Sequence, residues 1–347
     1  MKISILLPYK ENFSPEYAGA VSLGLKDTII LSKFKMNIKV YGNTDFKKKL
    51  LKNYRNINFT KYFFKSSTKS YLNKFLEFEK KEKSRLIEIH NRPDYVNTIY
   101  INNQNLVLYF HNNPLDMKSS SSVTDRINLL SKTKKIIFNS NWTLKQFQKG
   151  LKKNYYLNKV EVIHQSTNRK DINFNKKENI ILYVGRLNKS KGYDIFGKAA
   201  IKALNKYPNW KAIVIGDEPR EKIIFNHIRF KILGFLDHKK VSNWFKKSHI
   251  AVICSRWNEP FGRTALEATS NGCAVIISNK GGLPEAAPKA IKINNLNVNS
   301  VKLAIERLIK NKKLRTNLQK KCFKNFYLTN SLISKKIDNY RNKLIKF

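Results

Sequence analysis

Along the 347 residues, short apolar runs alternate with polar, turn-rich segments and with longer helix-forming stretches. The runs at residues 2–8 (KISILLP), Ile38–Tyr41, Leu86–Ile89, Leu106–Phe110, Lys135–Phe138 and Val160–Ile163 are too short for helices and largely apolar throughout. That is the pattern of strands buried on both faces. Helices are expected near Val21, over Val123–Lys132 and from Asn139-Ser140-Asn141-Trp142 onward. A polar stretch, 168–179 (NRKDINFNKKEN), then reads as a linker. After it the pattern restarts with Ile180–Val184, a helix from about Tyr193, and the runs Ala212–Ile215, Phe230–Leu233, Ile250–Ile253, Ala274–Ile277 and Ala290–Ile293. The end, 301–347, is helical and strongly basic. Strands alternating with helices predict an α/β chain with two Rossmann-like parallel sheets. The expected division is 1–167, a linker at 168–179, a second domain at 180–327, and a last helix at 328–347 packing back on the first.

One region does not fit the alternation. Residues 47–85 mix lysines with Tyr54, Phe59, Tyr62, Phe63, Phe64, Tyr71, Phe75 and Phe78. Such a stretch reads either as a helical surface lying on a membrane or as an amphipathic helix with its aromatics in the core, the second being favoured.

Chemistry gathers where the strands end, which is where open parallel sheets hold ligands. Ile250–Ile253 runs into CSRWNEPFGRTALE, a loop followed by a helix that opens at Gly262, Arg263 or Thr264. Glu259 lies on the loop and Glu267 about a turn inside the helix, with seven residues between them. Free N–H groups at a helix start suit an anion. Ile180–Val184 runs into VGRLNKSKGYD, which sets Arg186 and Lys191 beside another helix start, two cations for an anion pocket. The strand ends His90-Asn91-Arg92-Pro93 and His111-Asn112-Asn113-Pro114 each deliver a His-Asn pair. The loop after the first strand carries Gly19-Ala20, whose spacing is not G-x-G-x-x-G, so no dinucleotide fingerprint is supported.

EPFGRTALEA with its continuation Gly281-Gly282-Leu283-Pro284-Glu285 resembles the E-x7-E signature of the family 4 glycosyltransferases, retaining enzymes of the GT-B fold. The resemblance is specific over 180–290 and looser before 170. It implies two Rossmann-like domains whose parallel sheets face across a cleft, with a last helix crossing back. It assigns Glu259 to hydroxyls of a donor sugar, Glu267 to the ribose, and Arg186 and Lys191 to the donor diphosphate. His111 would stand beside the reacting sugar, with His90 and Arg92 bordering the acceptor. Gly19, Phe235, Phe261, Gly262, Arg263 and Thr264 would complete the donor site, with the base seated near Gly234-Phe235-Leu236. Glu285 would orient its loop or cap a helix. The chain reads His164-Gln165-Ser166-Thr167 where family members often carry an Asn-Gly-Val-Asp type turn. The function implied is transfer of a hexose, with retention, from a nucleotide sugar to a hydroxyl of a glycan or lipid-linked acceptor, in cell-envelope polysaccharide or lipopolysaccharide synthesis. No metal or other cofactor is expected, since the fixed cations meet the developing phosphate charge and no Asp-x-Asp pair of metal-binding type appears.

Composition narrows the alternatives. Hydrophobic residues are 41% and aromatics 12%, enough for two cores. No apolar run reaches the roughly 18 residues of a membrane span, and MKISILLPYK is too short in its apolar part for a signal peptide. Three widely spaced cysteines, Cys254, Cys273 and Cys322, read as reduced thiols of a cytoplasmic protein. The formal net charge of +44 draws the surface to anionic lipid or polyanionic glycan, although much of it fits compositional drift toward lysine. The competing reading is an inactive protein of the same fold that binds a polyanion or the inner face of the cytoplasmic membrane. A nucleic-acid binder ranks behind it, as no helix-turn-helix, zinc finger or RRM pattern is present. An epimerase or phosphorylase shares the fold, but the chain is short for a phosphorylase.

Overall fold

The structure is a computed structural model that describes residues 2–59, 66–100, 105–153, 156, 158–169 and 171–345. Its elements run β1 (Ile3–Leu6), α1 (Ala20–Ile29), β2 (Ile38–Gly42), β3 (Tyr54–Asn56), α2 (Ser67–Glu82), β4 (Leu86–His90), α3 (Asp94–Ile99), β5 (Asn105–Phe110), α4 (Val123–Lys132), β6 (Lys135–Phe138), α5 (Asn141–Gln148) and β7 (Val160–Val162). They continue with β8 (Glu178–Val184), α6 (Tyr193–Lys206), β9 (Lys211–Ile215), β10 (Phe230–Ile232), α7 (His238–Lys247), β11 (Ser248–Ile253), α8 (Arg263–Ser270), β12 (Ala274–Ser278), α9 (Leu283–Ala286), β13 (Ile291–Ile293), α10 (Val298–Lys310), α11 (Lys312–Lys324) and α12 (Asn330–Ile345). Two compact units result, 1–166 with 330–347, and 167–329.

The first unit holds a parallel sheet in the order β3-β2-β1-β4-β5-β6-β7, the second one in the order β10-β9-β8-β11-β12-β13. Both are Rossmann-type orders, in which the chain runs outward to one side and then returns to build the other. The reversal falls between β1 and β4 in one sheet and between β8 and β11 in the other. Loops leaving those strands diverge there, so their carboxyl ends are where a ligand has room. Helices on both faces explain why the central strands are apolar without alternation: all residues of β1 and of β12 are buried.

The region 47–85 packs into its own core. Tyr71 and Phe75, on α2, are fully buried, and Tyr54 stacks on buried Phe13 with ring centroids 5.1 Å apart. Phe78 lies against Tyr41 and under the Arg55 guanidinium. The membrane reading of this region gives way to the core reading; Tyr62, Phe63 and Phe64 lie outside the described residues. The short strand β3 was not legible because Tyr-Arg-Asn has neither an apolar run nor alternation. The polar stretch 168–179 is more ordered than a free linker. It carries a 3-10 turn at Phe174–Lys176 and opens β8. Lys177 is buried, its Nζ donating to the carbonyls of Phe245, Lys246, Ser248 and Asn271 at 2.9–3.2 Å. All three cysteines are free and buried, and burial pushes the Cys254 and Cys322 thiols up to about 12. Among the described residues no helix is long and apolar enough to cross a membrane.

α12 completes the first unit through charge as well as apolar packing. Arg341 forms a two-pronged ion pair with Glu88 on β4, at 2.7 Å for each contact, and both side chains are essentially sealed from solvent. Tyr340 donates to the same carboxylate. Asp338 accepts from Ser32 Oγ at 2.6 Å and from the Lys33 amide at 2.8 Å, while Ser334 donates to the Thr28 carbonyl. Replacing Arg341 with Leu strands a buried carboxylate and is expected to cost about 3–5 kcal/mol in urea unfolding. The double change Glu88→Leu with Arg341→Leu removes both charges and should recover part of that loss.

Candidate functional site

In the second unit, the loops leaving β8 and β11 are bound to each other backbone to backbone. The Ser190 carbonyl accepts from the amides of Arg256 and Trp257 and from Ser255 Oγ, at 2.9, 3.1 and 3.2 Å. Gly192, with φ +73°, lies so close to the β11 loop that a Cβ there would sit 1.9 Å from the Cys254 carbonyl oxygen. Cys254 Sγ donates back to the Gly192 carbonyl. Arg256 grips Asp194 at the start of α6 through two hydrogen bonds, 2.5 and 2.7 Å. Tyr183, buried in β8, donates its hydroxyl to the carbonyls of Arg186 and Lys191. These constraints bring Lys191 to Glu259: Nζ and Oε1 are 2.6 Å apart, and the ammonium lies 4.6 Å from the Trp257 ring centroid. Arg186 is exposed on the same loop.

Glu259 is held from behind by the glycine pair. Gly282 donates its amide to the Glu259 carbonyl at 2.6 Å, and a Cβ on Gly281, at φ +57°, would sit 2.2 Å from that oxygen. α8 opens at Arg263, with Gly262 before it at φ +107°. No side chain caps α8, so first-turn N–H groups, those of Thr264 and Ala265 among them, are available to an anion. The α6 start is different. Its Tyr193 amide donates to the Asn188 carbonyl, and the Asp194 carboxylate takes its own amide and that of Ile195. The anion pocket expected there therefore rests on the cations rather than on free N–H groups.

Glu267 is buried. Burial alone would raise its carboxyl, but the Arg263 charge and a hydrogen bond from His238 outweigh that and hold it below the usual range. Arg263 Nε and His238 Nε2 meet the same oxygen at 2.8 and 2.9 Å. Phe261 is buried, whereas Phe235 is half exposed beside Gly234 at φ +68°. Gly19 stands at the start of α1, where a Cβ would meet the Glu11 carboxylate at 2.5 Å.

In the first unit His111 follows β5 and lies beside His90 at the end of β4. His90 Nδ1 and His111 Nε2 are 3.0 Å apart, and His90 stacks on Tyr109 with centroids 4.2 Å apart. His90 is 2% exposed, so its part in bordering an acceptor is limited to what its ring lends His111 through their hydrogen bond. Arg92 is half-buried and donates to the Asn91 carbonyl. The shared hydrogen bond couples the two rings. Whichever ring donates, His90 Nε2 and His111 Nδ1, both without a protein partner, are left as one donor and one acceptor, and both residues line a cavity of about 50 Å3 beside α1 and α12.

Sequence reading did not single out four contributors. Trp257 stands inside the motif stretch, but its contact with Lys191 needs the loop's curl. His238 follows the Phe235 loop at once, yet its partner is 29 residues away. Arg256 and Asp194 stand 62 residues apart, and only the fold pairs them. Among the described residues no three His, Cys, Asp or Glu side chains gather as a metal site.

These parallel sheets and loops place the protein among the GT-B folds. The chain superposes on Anabaena Alr3699/HepE, solved with UDP and glucose, at a TM-score of 0.73 and 18% identity, covering 99% of each chain. Residues 164–325 match the family model of glycosyl transferases group 1. Among curated relatives, a subunit of the human phosphatidylinositol N-acetylglucosaminyltransferase is 32% identical over 120 residues, 33% of this chain and 25% of its own length. The lipopolysaccharide core mannosyltransferase LpsB of Rhizobium meliloti is 31% identical over 111 residues, 29% of this chain and 31% of its own. The chain thus spans about a quarter to a third of the length of these relatives.

Burial depresses both histidines, His111 to about 4 and His90 well below its usual value. A depressed histidine stays neutral in the fold while the unfolded chain takes up its proton. Stability should therefore fall as pH drops from about 6.5 toward 4. Urea unfolding across that window should show a shallower slope in His111→Gln. Gly281→Ala should lower Tm by several degrees, since the new Cβ displaces the Glu259 backbone.

Proposed function

We propose that the protein moves a hexose, with retention of anomeric configuration, from a nucleotide sugar to a hydroxyl of a glycan or lipid-linked acceptor in envelope polysaccharide or lipopolysaccharide synthesis. The observation that carries this reading is the Lys191–Glu259 pair, set at the topological switch point beside the uncapped start of α8. An ammonium and a carboxylate 2.6 Å apart present a cation to phosphate and an acceptor to sugar hydroxyls from one place. The activities that name the relatives, N-acetylglucosaminyl and mannosyl transfer, and the UDP in the Anabaena structure agree with a nucleotide-sugar donor.

In this mechanism Arg186, Lys191 and the α8 amides, including those of Arg263 and Thr264, hold the diphosphate. Glu267, kept ionised by Arg263 and His238, accepts from the ribose hydroxyls. Phe235, on its glycine-hinged loop, flanks the base; Gly262 gives the backbone its close approach, and Phe261 packs beneath. The acceptor oxygen bonds to the anomeric carbon on the face from which the diphosphate leaves. The carbon–oxygen bond to the diphosphate breaks, and a diphosphate oxygen takes the acceptor's proton. Charge develops on the leaving group, where fixed cations lower the barrier. The reaction is proposed to proceed without a metal, with these cations in the role a divalent ion would otherwise fill. The neutral His111 is suited to hydrogen bonding with a sugar hydroxyl. A lipid-linked acceptor would set the protein at the cytoplasmic face of a membrane. The competing reading, an inactive polyanion binder, draws on the +44 charge alone.

Thermal unfolding against UDP, GDP, ADP and their sugars tests the donor site. One nucleotide family should raise Tm by a few degrees at about a hundred times its Kd, and Glu267→Ala should abolish the shift. No shift with any nucleotide would leave the polyanion reading standing. Lys191→Ala and Glu259→Gln should each lower kcat by roughly a hundredfold or more while Tm changes little; near-normal turnover in both would refute the assignment.

A further inference from the structure

The turn after α1 exposes more aliphatic surface than its surroundings require. Ile30 is 48%, Leu31 50% and Met36 87% exposed. Between them the chain alternates, with Ser32 and Phe34 facing in and Lys33 and Lys35 facing out. This is not a loose loop. Asp338 of α12 binds both Ser32 Oγ and the Lys33 amide, and the Phe34 amide donates to Ser32 Oγ. Ser334 fastens α12 to Thr28 one turn earlier. The outer side of α12, immediately beside this turn, shows Lys335 and Lys336. The acids nearby are spent: Asp338 is buried, and Asp27 is largely covered and faces Lys26.

We propose that this surface, the α1–β2 turn with the outer side of α12, docks the protein on an anionic lipid bilayer. Aliphatic tips flanked by lysines are what an interface of headgroups and acyl chains accommodates: the tips enter the apolar boundary and the ammonium groups stay with the phosphates. A second copy of the chain would bring the same lysines and be repelled. A nucleic acid would use the charge but gain nothing from exposed Leu31 and Met36, and the patch offers no aromatic or arginine for stacking. The turn is pinned at its base, so little ordering entropy is lost on binding. The surface serves the lipid-linked acceptor reading, but binding does not require donor or acceptor.

Flotation with phosphatidylglycerol–phosphatidylcholine vesicles tests it, with phosphatidylcholine vesicles as the comparison. The protein should float with the anionic vesicles and not with the neutral ones. Leu31→Glu with Met36→Glu should weaken that binding by about tenfold or more, with Tm and any nucleotide-induced shift unchanged. Lys312→Gln with Lys313→Gln, which lowers the net charge by the same two units on exposed positions of α11, should weaken it far less. Failure to float, equal weakening by the two double variants, or insensitivity to the Leu31/Met36 change would overturn the proposal. So would a duplex oligonucleotide binding through this patch with the same loss in the double variant. If no nucleotide shifts Tm but the vesicle result holds, the docking surface stands and the transferase reading falls.

Discussion

Everything at the candidate donor site depends on two backbones being allowed to touch. The loops after β8 and β11 approach until Gly192 lies against the Cys254 carbonyl, and Gly281 does the same to Glu259 from the other side. No side chain fits in either place. Once the backbones meet, their own polar groups are used against each other, through the Ser190 carbonyl and the Gly282 amide. Lys191 and Glu259 then have little freedom about where they point. Their short separation is a result of backbone packing as much as of charge attraction. A pair held this way loses little entropy when a ligand arrives, which is the condition for electrostatic preorganisation.

The two units solve the problem of a buried charge in opposite ways. Glu267 keeps a negative charge out of water by sharing one oxygen between Arg263 and His238. The His90–His111 pair avoids charge altogether, since burial keeps both rings neutral and one hydrogen bond couples them. A fixed carboxylate suits a hydroxyl-rich ligand, and a neutral imidazole suits one that must not be paired too strongly. Glu88 and Arg341 are a third case. Their charges cancel inside the first unit and make α12 part of its core, though α12 follows the whole second unit in sequence.

Much of this was legible in the chain. The period of the apolar runs located the β1, β6, β8 and β12 strands closely, because buried parallel strands are apolar end to end and carry their own signature. The helices expected over Val123–Lys132 and from Asn139 onward are α4 and α5, where Ser122 and Ser140 each close a capping box. The motif stretch marked Glu259 and Glu267 as neighbours of one loop. What could not be read was pairing over distance. His238 with Glu267, His90 beneath His111, and Lys177 among four carbonyls all depend on which strand lies beside which. The aromatics of 47–85 left two readings open for the same reason, the core one favoured: their spacing fits a membrane face and a core face alike. β3 left no trace, since an edge strand of three polar-leaning residues is held by its neighbour alone.

The three cysteines have a practical consequence. Each thiol is buried, and burial keeps each one protonated well above neutral pH. Thiolate, not thiol, reacts with alkylating dyes. The folded protein is therefore nearly blank to such reagents without any cysteine having to be removed. A single cysteine introduced at an exposed position, Asn339 on α12 for instance, would carry a label alone. The native chain is in that sense already prepared for spectroscopic distance measurements between its two units.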